Sequence, residues 1–313
     1  MAFFNNQINL IKDECKEQKQ WINSKSAEQE QRYKKEIINI IHKIIPLPYL
    51  KSFLVHLVDE CNLKCWGCDH FSPLAEGGYL KIEDFEKDIK RISELTESKV
   101  NRIALMGGEP LLHPNVSDFF KMTRNYFPKT SIVLVTNGIL LNHQPDKFWI
   151  ECKENNIQIE NTVYPIDINI ERIENTADKY HVNFIPYGCT VEKTKTSYHI
   201  PLDLEGKGNC AENFAYCFHA NNCIMLKKGK IYTCSIAPNI EHFNKYFNTN
   251  VPSSERDGID IYKVNKIDEI LDFLAKPIPF CKYCNIQKRS FNHPWKTSKK
   301  EILEWTVNDD TKK

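Results

Sequence analysis

The sequence predicts an α/β fold built on a parallel sheet, and two observations carry that expectation. Short apolar runs of strand length alternate with stretches whose apolar residues recur at helical spacing. Strands that alternate with helices form βα units, and right-handed crossovers curl such units into a barrel or an open doubly wound sheet. Finally, each polar motif in this half of the chain directly follows a predicted strand, where such folds carry their functional residues.

The elements follow in order. Residues 1–48 read as a polar helical extension, with Ile38, Ile41 and Ile45 in an apolar stripe that Pro46 and Pro48 end. Phe53-Leu54-Val55-His56-Leu57-Val58 is the first strand and runs into Cys61. Ile82, Phe85, Ile89, Ile92 and Leu95 mark one face of a helix. Ile103–Met106 is a second strand ending in Gly107-Gly108, and a helix over Val116–Tyr126 precedes the strand Ser131–Val135. Further strands are expected at Ile157–Val163 and His181–Ile185. From about residue 190 the pattern loosens. Lys230–Thr233 reads as a short strand after a turn at Gly229, and Ile267, Ile270, Leu271 and Leu274 as a helical stripe. Ser298 with Glu301 resembles a capping box for a last helix at Ile302–Trp305. The resulting division is 1–48, 49–190, 191–296, and 297–313 as C-terminal helix and tail.

Composition narrows the function. Of 313 residues, 41% are hydrophobic and 27% charged, which suits a globular chain. A net charge of +1 points to neither nucleic acid nor an anionic membrane surface. Met1–Asn6 lack the basic and apolar regions of a signal peptide, and no apolar stretch approaches the roughly 20 residues of a membrane span. A cytoplasmic protein is expected. In a reducing compartment, clustered cysteines bind metal or do chemistry more often than they form disulfides, so the 12 cysteines are informative.

The first group is Cys61-Asn62-Leu63-Lys64-Cys65-Trp66-Gly67-Cys68. A short loop with this spacing wraps three thiolates around a 4Fe–4S cube and leaves one iron open. Thiolates suit zinc equally, and His70 would complete a Cys3His zinc site. A strand–helix unit later comes Gly107-Gly108-Glu109-Pro110, where glycine permits close backbone approach and a carboxylate can accept from an ammonium group.

The cysteine loop followed by this Gly-Gly-Glu turn resembles the radical S-adenosylmethionine (radical SAM) superfamily over roughly residues 53 to 190. The resemblance implies a partial (β/α) barrel, with Cys61, Cys65 and Cys68 holding a 4Fe–4S cluster whose open iron S-adenosylmethionine chelates. It also implies that Gly107, Gly108 and Glu109 receive the methionine amino group, and that Asn137 of Thr136-Asn137-Gly138 lies beside the same ligand. The family's usual aromatic before the third cysteine is replaced here by Gly67, with Trp66 and Phe71 as the nearby substitutes for an adenine contact.

The C-terminal third carries Cys189, Cys210, Cys217, Cys223, Cys234, Cys281 and Cys284. Cys217, Gly229, Cys234 and the Cys281-Lys282-Tyr283-Cys284 pair resemble the opening of a SPASM domain, and no cysteine follows Cys284. The match is to the shortened, twitch-type form, a small α+β domain; the spacing is similar to that of aminocyclitol dehydrogenases. This implies one auxiliary 4Fe–4S cluster on Cys217, Cys234, Cys281 and Cys284, with Cys223 a rival for Cys217 and zinc the alternative metal.

The function implied is hydrogen abstraction from a substrate carbon by a 5′-deoxyadenosyl radical. The net reaction is then oxidation of an alcohol, with a flavodoxin or ferredoxin as electron donor. Epimerisation with a cysteine hydrogen donor, modification of a peptide, and a non-catalytic zinc-stabilised binding protein are the competing readings. Cys68–Ala75, Phe280–Cys284 and Pro294-Trp295-Lys296 resemble radical SAM proteins associated with surface-polysaccharide genes, which favours a sugar, nucleotide-sugar or cyclitol substrate. Tyr164, Tyr187 and His219 are candidate polar pocket residues.

Overall fold

The computed structural model describes residues 25–32, 34–188 and 194–307. The chain divides into two compact units, Met1–Ile45 and Pro46–Lys313. In the first, residues 25–32 and 34–44 are helical (α1), and Ile38, Ile41 and Ile45 of its stripe are exposed. Residues 1–24 of the expected helical extension lie outside the described residues.

The second unit opens with β1 (Ser52–Val58), followed by α2 (Ile82–Thr96), β2 (Arg102–Gly107), α3 (Val116–Tyr126) and β3 (Ser131–Thr136). Then come α4 (Asp146–Glu154), β4 (Ile157–Thr162), α5 (Ile170–Tyr180) and β5 (Phe184–Tyr187). These five strands are parallel, in the order β5-β4-β3-β2-β1, with a helix in each crossover. The α/β parallel sheet of a partial (β/α) barrel is therefore present.

Side-chain alternation explains the packing, because successive strand residues face opposite sides. Phe53, Val55 and Leu57 of β1 and Ile103 and Leu105 of β2 face the helices. There they meet Phe85, Ile89 and Ile92 of α2 and Phe119 and Phe120 of α3. The intervening Leu54 and Ala104 join Met225 in a smaller cluster. Helix α2 forms where its apolar residues share one face, with Glu83 and Asp84 placed favourably at its positive end.

The C-terminal third extends the same sheet. β7 (Met225–Lys227) pairs in parallel with the free edge of β1, and β8 (Lys230–Tyr232) and β9 (Gly258–Asp260) continue it antiparallel. Gly229 takes the left-handed conformation of the tight β7–β8 turn, at φ +72°. β6 (Thr196–His199) and β10 (Ser290–Pro294) form a separate antiparallel pair. Helices α6 (Cys210–Tyr216), α7 (Ile240–Phe247) and α8 (Ile267–Leu274) complete the unit. A second apolar core, with Phe71, Phe214, Phe243, Phe280 and Trp305, lies in this part of the molecule.

Two expectations need correction. The final helix is a short 3-10 turn, Ile302–Glu304, whose capping box joins Glu301 to Glu304 and not to Ser298. The Glu304 carboxylate is buried and accepts from the backbone N–H groups of Lys299 and Glu301, which holds the chain in a turn. The strand expected at His181–Ile185 begins later, at Phe184, because His181 takes a left-handed conformation (φ +55°) that ends α5.

Candidate functional site

The register of β1 and β2 sets the site. Phe53 pairs with Ile103 and Val55 with Leu105, but the register shifts after His56 so that Val58 faces Gly107. The Gly107-Gly108 turn is thereby drawn along Val58–Glu60, the segment that leads into Cys61. The Gly108 N–H donates to the Val58 carbonyl (2.8 Å) and the Glu109 N–H to the Glu60 carbonyl (3.0 Å). A Cβ at Gly107 or Gly108 would stand 2.2 Å from one of these same carbonyl oxygens, so only glycine fits.

Cys61, Cys65 and Cys68 line one cavity of about 210 Å³, together with Gly107, Gly108 and Asn137. Burial pushes the Cys68 thiol up to about 12, and raises Cys61 and Cys65 as well. Donors converge on the sulfurs. The Leu63 N–H lies 3.4 Å from Cys61 Sγ, Asn137 Nδ2 3.6 Å from the same atom, and the Trp295 indole 3.1 Å from Cys65 Sγ. The Tyr164 hydroxyl also hydrogen-bonds Cys65. Soft donors, low solvent access and hydrogen bonds at sulfur fit an iron–sulfur cluster, which binds thiolates and exploits such bonds.

Glu109 is fully buried and is missing from the cavity wall. Its carboxylate accepts from the Thr136 hydroxyl (2.7 Å), the Asn137 N–H (2.9 Å) and the Leu111 N–H (3.0 Å). Burial still lifts it to about 7 against these donors. In this structure Glu109 ties the β2 turn to the β3 turn. Asn137, positioned by that tie, donates to Asn62 Oδ1 at 2.7 Å and so reaches the cysteine loop.

Of the two aromatics near Gly67, Phe71 is buried in the second core against Phe243 and Trp305. Trp66 lines the cavity but stacks on His293, with ring centroids 3.9 Å apart and planes 7° apart. Gly67 has φ +59°, and a Cβ there would meet His199 at 2.7 Å, which excludes an aromatic residue at that position. His70 lines the same cavity, edge-on to His56, and burial lowers it to about 3.

In the C-terminal third the structure gathers Cys217, Cys234, Cys281 and Cys284 around one another. Cys217 ends α6, Cys234 follows β8, and the other pair flank the end of a 3-10 turn, Pro279–Tyr283. Burial, then the neighbouring Cys217, pushes Cys284 well up, and burial brings Cys234 and Cys281 to about 12. Buried Asn213 donates to the carbonyls of Cys281 (2.8 Å) and Cys284 (2.7 Å) and fixes that turn.

Cys223 lies elsewhere. It packs against the Leu54–Ala104–Met225 cluster, 3.4 Å from His219 Nδ1. Cys210 sits at the start of α6, 3.8 Å from the Pro279 carbonyl, and Cys152 is fully buried in the first core. Cys15 and Cys189 lie outside the described residues. Tyr164 lines the first cavity, whereas Tyr187 is exposed on β5 and accepts from the Thr162 hydroxyl.

Two features were not foreseen. His219 Nε2 lies 3.0 Å from Asp69 Oδ2, and these residues follow Cys217 and Cys68 respectively, so an ion pair of buried His219 with half-buried Asp69 joins the two cysteine loops. In addition, residues 295–305 run across the first loop. The Trp66 N–H donates to the Lys296 carbonyl, the Ser298 N–H to the Lys64 carbonyl, and the Trp305 indole to the Cys68 carbonyl. Pro294-Trp295-Lys296 was visible in the sequence as a distinctive stretch, but its contact with Cys65 spans 230 positions.

Residues 55–169 match the family described as the radical SAM superfamily. A probable GTP 3′,8-cyclase of Methanococcus maripaludis is 28% identical over 160 residues, which is 46% of this chain and 52% of that one. Another from Methanococcus vannielii is 36% identical over 92 residues, 29% of this chain and 30% of that one. The chain thus spans about half the length of the first of these relatives and less of the second. Among solved structures, BtrN in complex with AdoMet and 2-DOIA is similar at 19% identity and a TM-score of 0.47, covering 77% of this chain and 94% of that one. It is residues 55–169, then, that match the radical SAM superfamily, a family that uses a 4Fe–4S cluster and S-adenosylmethionine.

Proposed function

We propose that the chain is a two-cluster radical SAM oxidoreductase that oxidises an alcohol carbon of a sugar, nucleotide sugar or cyclitol. In this reading Cys61, Cys65 and Cys68 ligate the first cluster, with Gly107, Gly108 and Asn137 bordering the S-adenosylmethionine site. Cys217, Cys234, Cys281 and Cys284 ligate the auxiliary one. The observation that carries it is the gathering of these four cysteines, distant in sequence, in one core whose Cys217 loop is tied to the first loop by Asp69–His219. Four thiolates saturate a cluster, which suits electron transfer rather than substrate chelation.

When bound, the first cluster supplies the electron that splits S-adenosylmethionine, and the auxiliary cluster offers a place for the electron that the oxidised substrate gives up. The overall conversion balances without an external oxidant. The S-adenosylmethionine cation and a secondary alcohol give methionine, 5′-deoxyadenosine, a ketone and a proton.

The chain's own residues bind, orient and shield. Gly107 and Gly108 let a ligand approach the backbone, and the Glu109 bridge fixes Asn137 beside Cys61. Met106, Val135, Tyr164 and Trp295 line the cavity with apolar and aromatic surface that excludes water from a reactive intermediate.

The test is anaerobic incubation of reconstituted protein with S-adenosylmethionine, dithionite and a panel of cyclitols, sugars and nucleotide sugars. GTP belongs in the panel because the curated relatives carry a cyclase name. A ketone formed in step with 5′-deoxyadenosine supports the proposal. An epimer with deuterium taken from solvent, or a cyclised nucleotide, replaces it with another radical reaction.

A further inference from the structure

The segment from Trp295 to Trp305 is more than a C-terminal tail. Its backbone is paired to the first cysteine loop on both sides of Cys65, through Trp66 N–H to Lys296 O (2.9 Å) and Ser298 N–H to Lys64 O (2.8 Å). The Trp305 indole holds the Cys68 carbonyl at 2.9 Å, and Leu202 N–H holds the Trp305 carbonyl at 2.6 Å. At the other end the Trp295 N–H donates to the Lys195 carbonyl (2.8 Å), and its ring lies against Tyr164, centroids 5.6 Å apart. The indole is thus fixed on its backbone and on its ring. Its one polar atom, Nε1, points at Cys65 Sγ from 3.1 Å.

We propose that Trp295 is a resident hydrogen-bond donor to the Cys65 sulfur that sets the reduction potential of the first cluster. This rests on the reading of Cys61, Cys65 and Cys68 as its ligands. The reason is electrostatic. An N–H aimed at a ligand sulfur stabilises negative charge there, and the reduced cluster carries one more negative charge than the oxidised one. The donor therefore favours reduction. A rigid indole loses little freedom in making the bond, and the cavity wall limits competition from water. In this role Trp295 is a positioning residue for the cluster.

The experiment uses the full chain, reconstituted anaerobically. The probe is the reduced-cluster EPR signal that changes when S-adenosylmethionine is added, which separates the first cluster from the auxiliary one. Trp295→Phe keeps a ring and removes the N–H. With iron content retained, the reduction equilibrium of that signal should move about tenfold towards the oxidised form, ~59 mV more negative for one electron. A second measurement does not depend on how the variant folds. Wild-type protein carrying indole-15N tryptophan should show a 15N coupling to the same reduced signal in pulsed EPR. An unchanged potential in a fully loaded variant, or no 15N coupling in the wild type, overturns the inference alone. If no signal responds to S-adenosylmethionine, the assignment of the first site falls and the inference falls with it.

Discussion

Replacing Gly108 with alanine isolates what the glycine turn contributes. The new Cβ would stand 2.2 Å from the Glu60 carbonyl oxygen, 2.4 Å from its carbon and 2.7 Å from the Asp59 carbonyl oxygen. Ordinary contact begins at 3.4 Å, so the two segments must part by about 1.2 Å. Parting them breaks or weakens two backbone bonds, Gly108 N–H to Val58 O and Glu109 N–H to Glu60 O. Each is worth about 1 kcal/mol, and overpacking adds about 1–3 kcal/mol. A destabilisation of about 3–5 kcal/mol follows, which lowers the melting temperature by on the order of 10 °C. Because the displaced segment leads into Cys61, iron at the first site should fall too. Gly77→Ala is the control: nothing lies within 4 Å of its Cβ, and the cost is the left-handed conformation at φ +65°, about 1 kcal/mol. The assay is thermal unfolding followed by circular dichroism, with iron counted on the same samples. A Gly108→Ala protein that melts and loads like the wild type would mean that the close approach of Gly108 to Glu60 does not hold the Cys61 segment in place.

Three other outcomes are expected. Cys281→Ala should lose about four irons per chain while the first cluster still binds S-adenosylmethionine, measured by iron count and EPR; unchanged iron removes Cys281 from the auxiliary site. Phe119→Ala empties a fully buried position packed against Phe85 and His113, and should cost about 3–5 kcal/mol in denaturant unfolding. Cys152 is fully buried and its thiol is driven up by burial, so iodoacetamide should label it only after unfolding, as read by peptide mass spectrometry. Rapid labelling of folded protein would contradict the packing of α4.

The sheet was legible because its strands are long apolar runs with clear endings. Phe53–Val58 and Ser131–Val135 lie within or match β1 and β3 to within a residue at either end. Helix α2 announced itself by a full apolar stripe and α3 was expected at Val116–Tyr126, whereas α4 buries only Phe148, Trp149 and Cys152 and α5 only Ile173 and Ala177. Strands β7 to β9 have three residues each, too short for periodicity to register; β8 showed only through the Gly229 turn before it, and the pairing of β7 with β1 is a tertiary fact. In the site, cysteine spacing pointed to groups that the fold does draw together, and Cys223 lies beside His219, apart from Cys217, Cys234, Cys281 and Cys284. What spacing does not encode is contact across long separations: the Glu109 bridge to Thr136, the Asp69–His219 pair, and the reach of Trp295 to Cys65. Gly67 reads in the sequence as a missing aromatic, and in the structure as the residue that lets His199 pack against the loop.

The proposed function requires this chain to hold two iron–sulfur clusters and to cleave S-adenosylmethionine at Cys61, Cys65 and Cys68. The most direct test counts iron and sulfide in anaerobically reconstituted protein, then adds S-adenosylmethionine and dithionite and measures 5′-deoxyadenosine. About eight irons per chain with nucleoside formed, and none from a Cys65→Ala variant, is the predicted result. Zinc in place of iron with no nucleoside, or undiminished cleavage by Cys65→Ala, would contradict it.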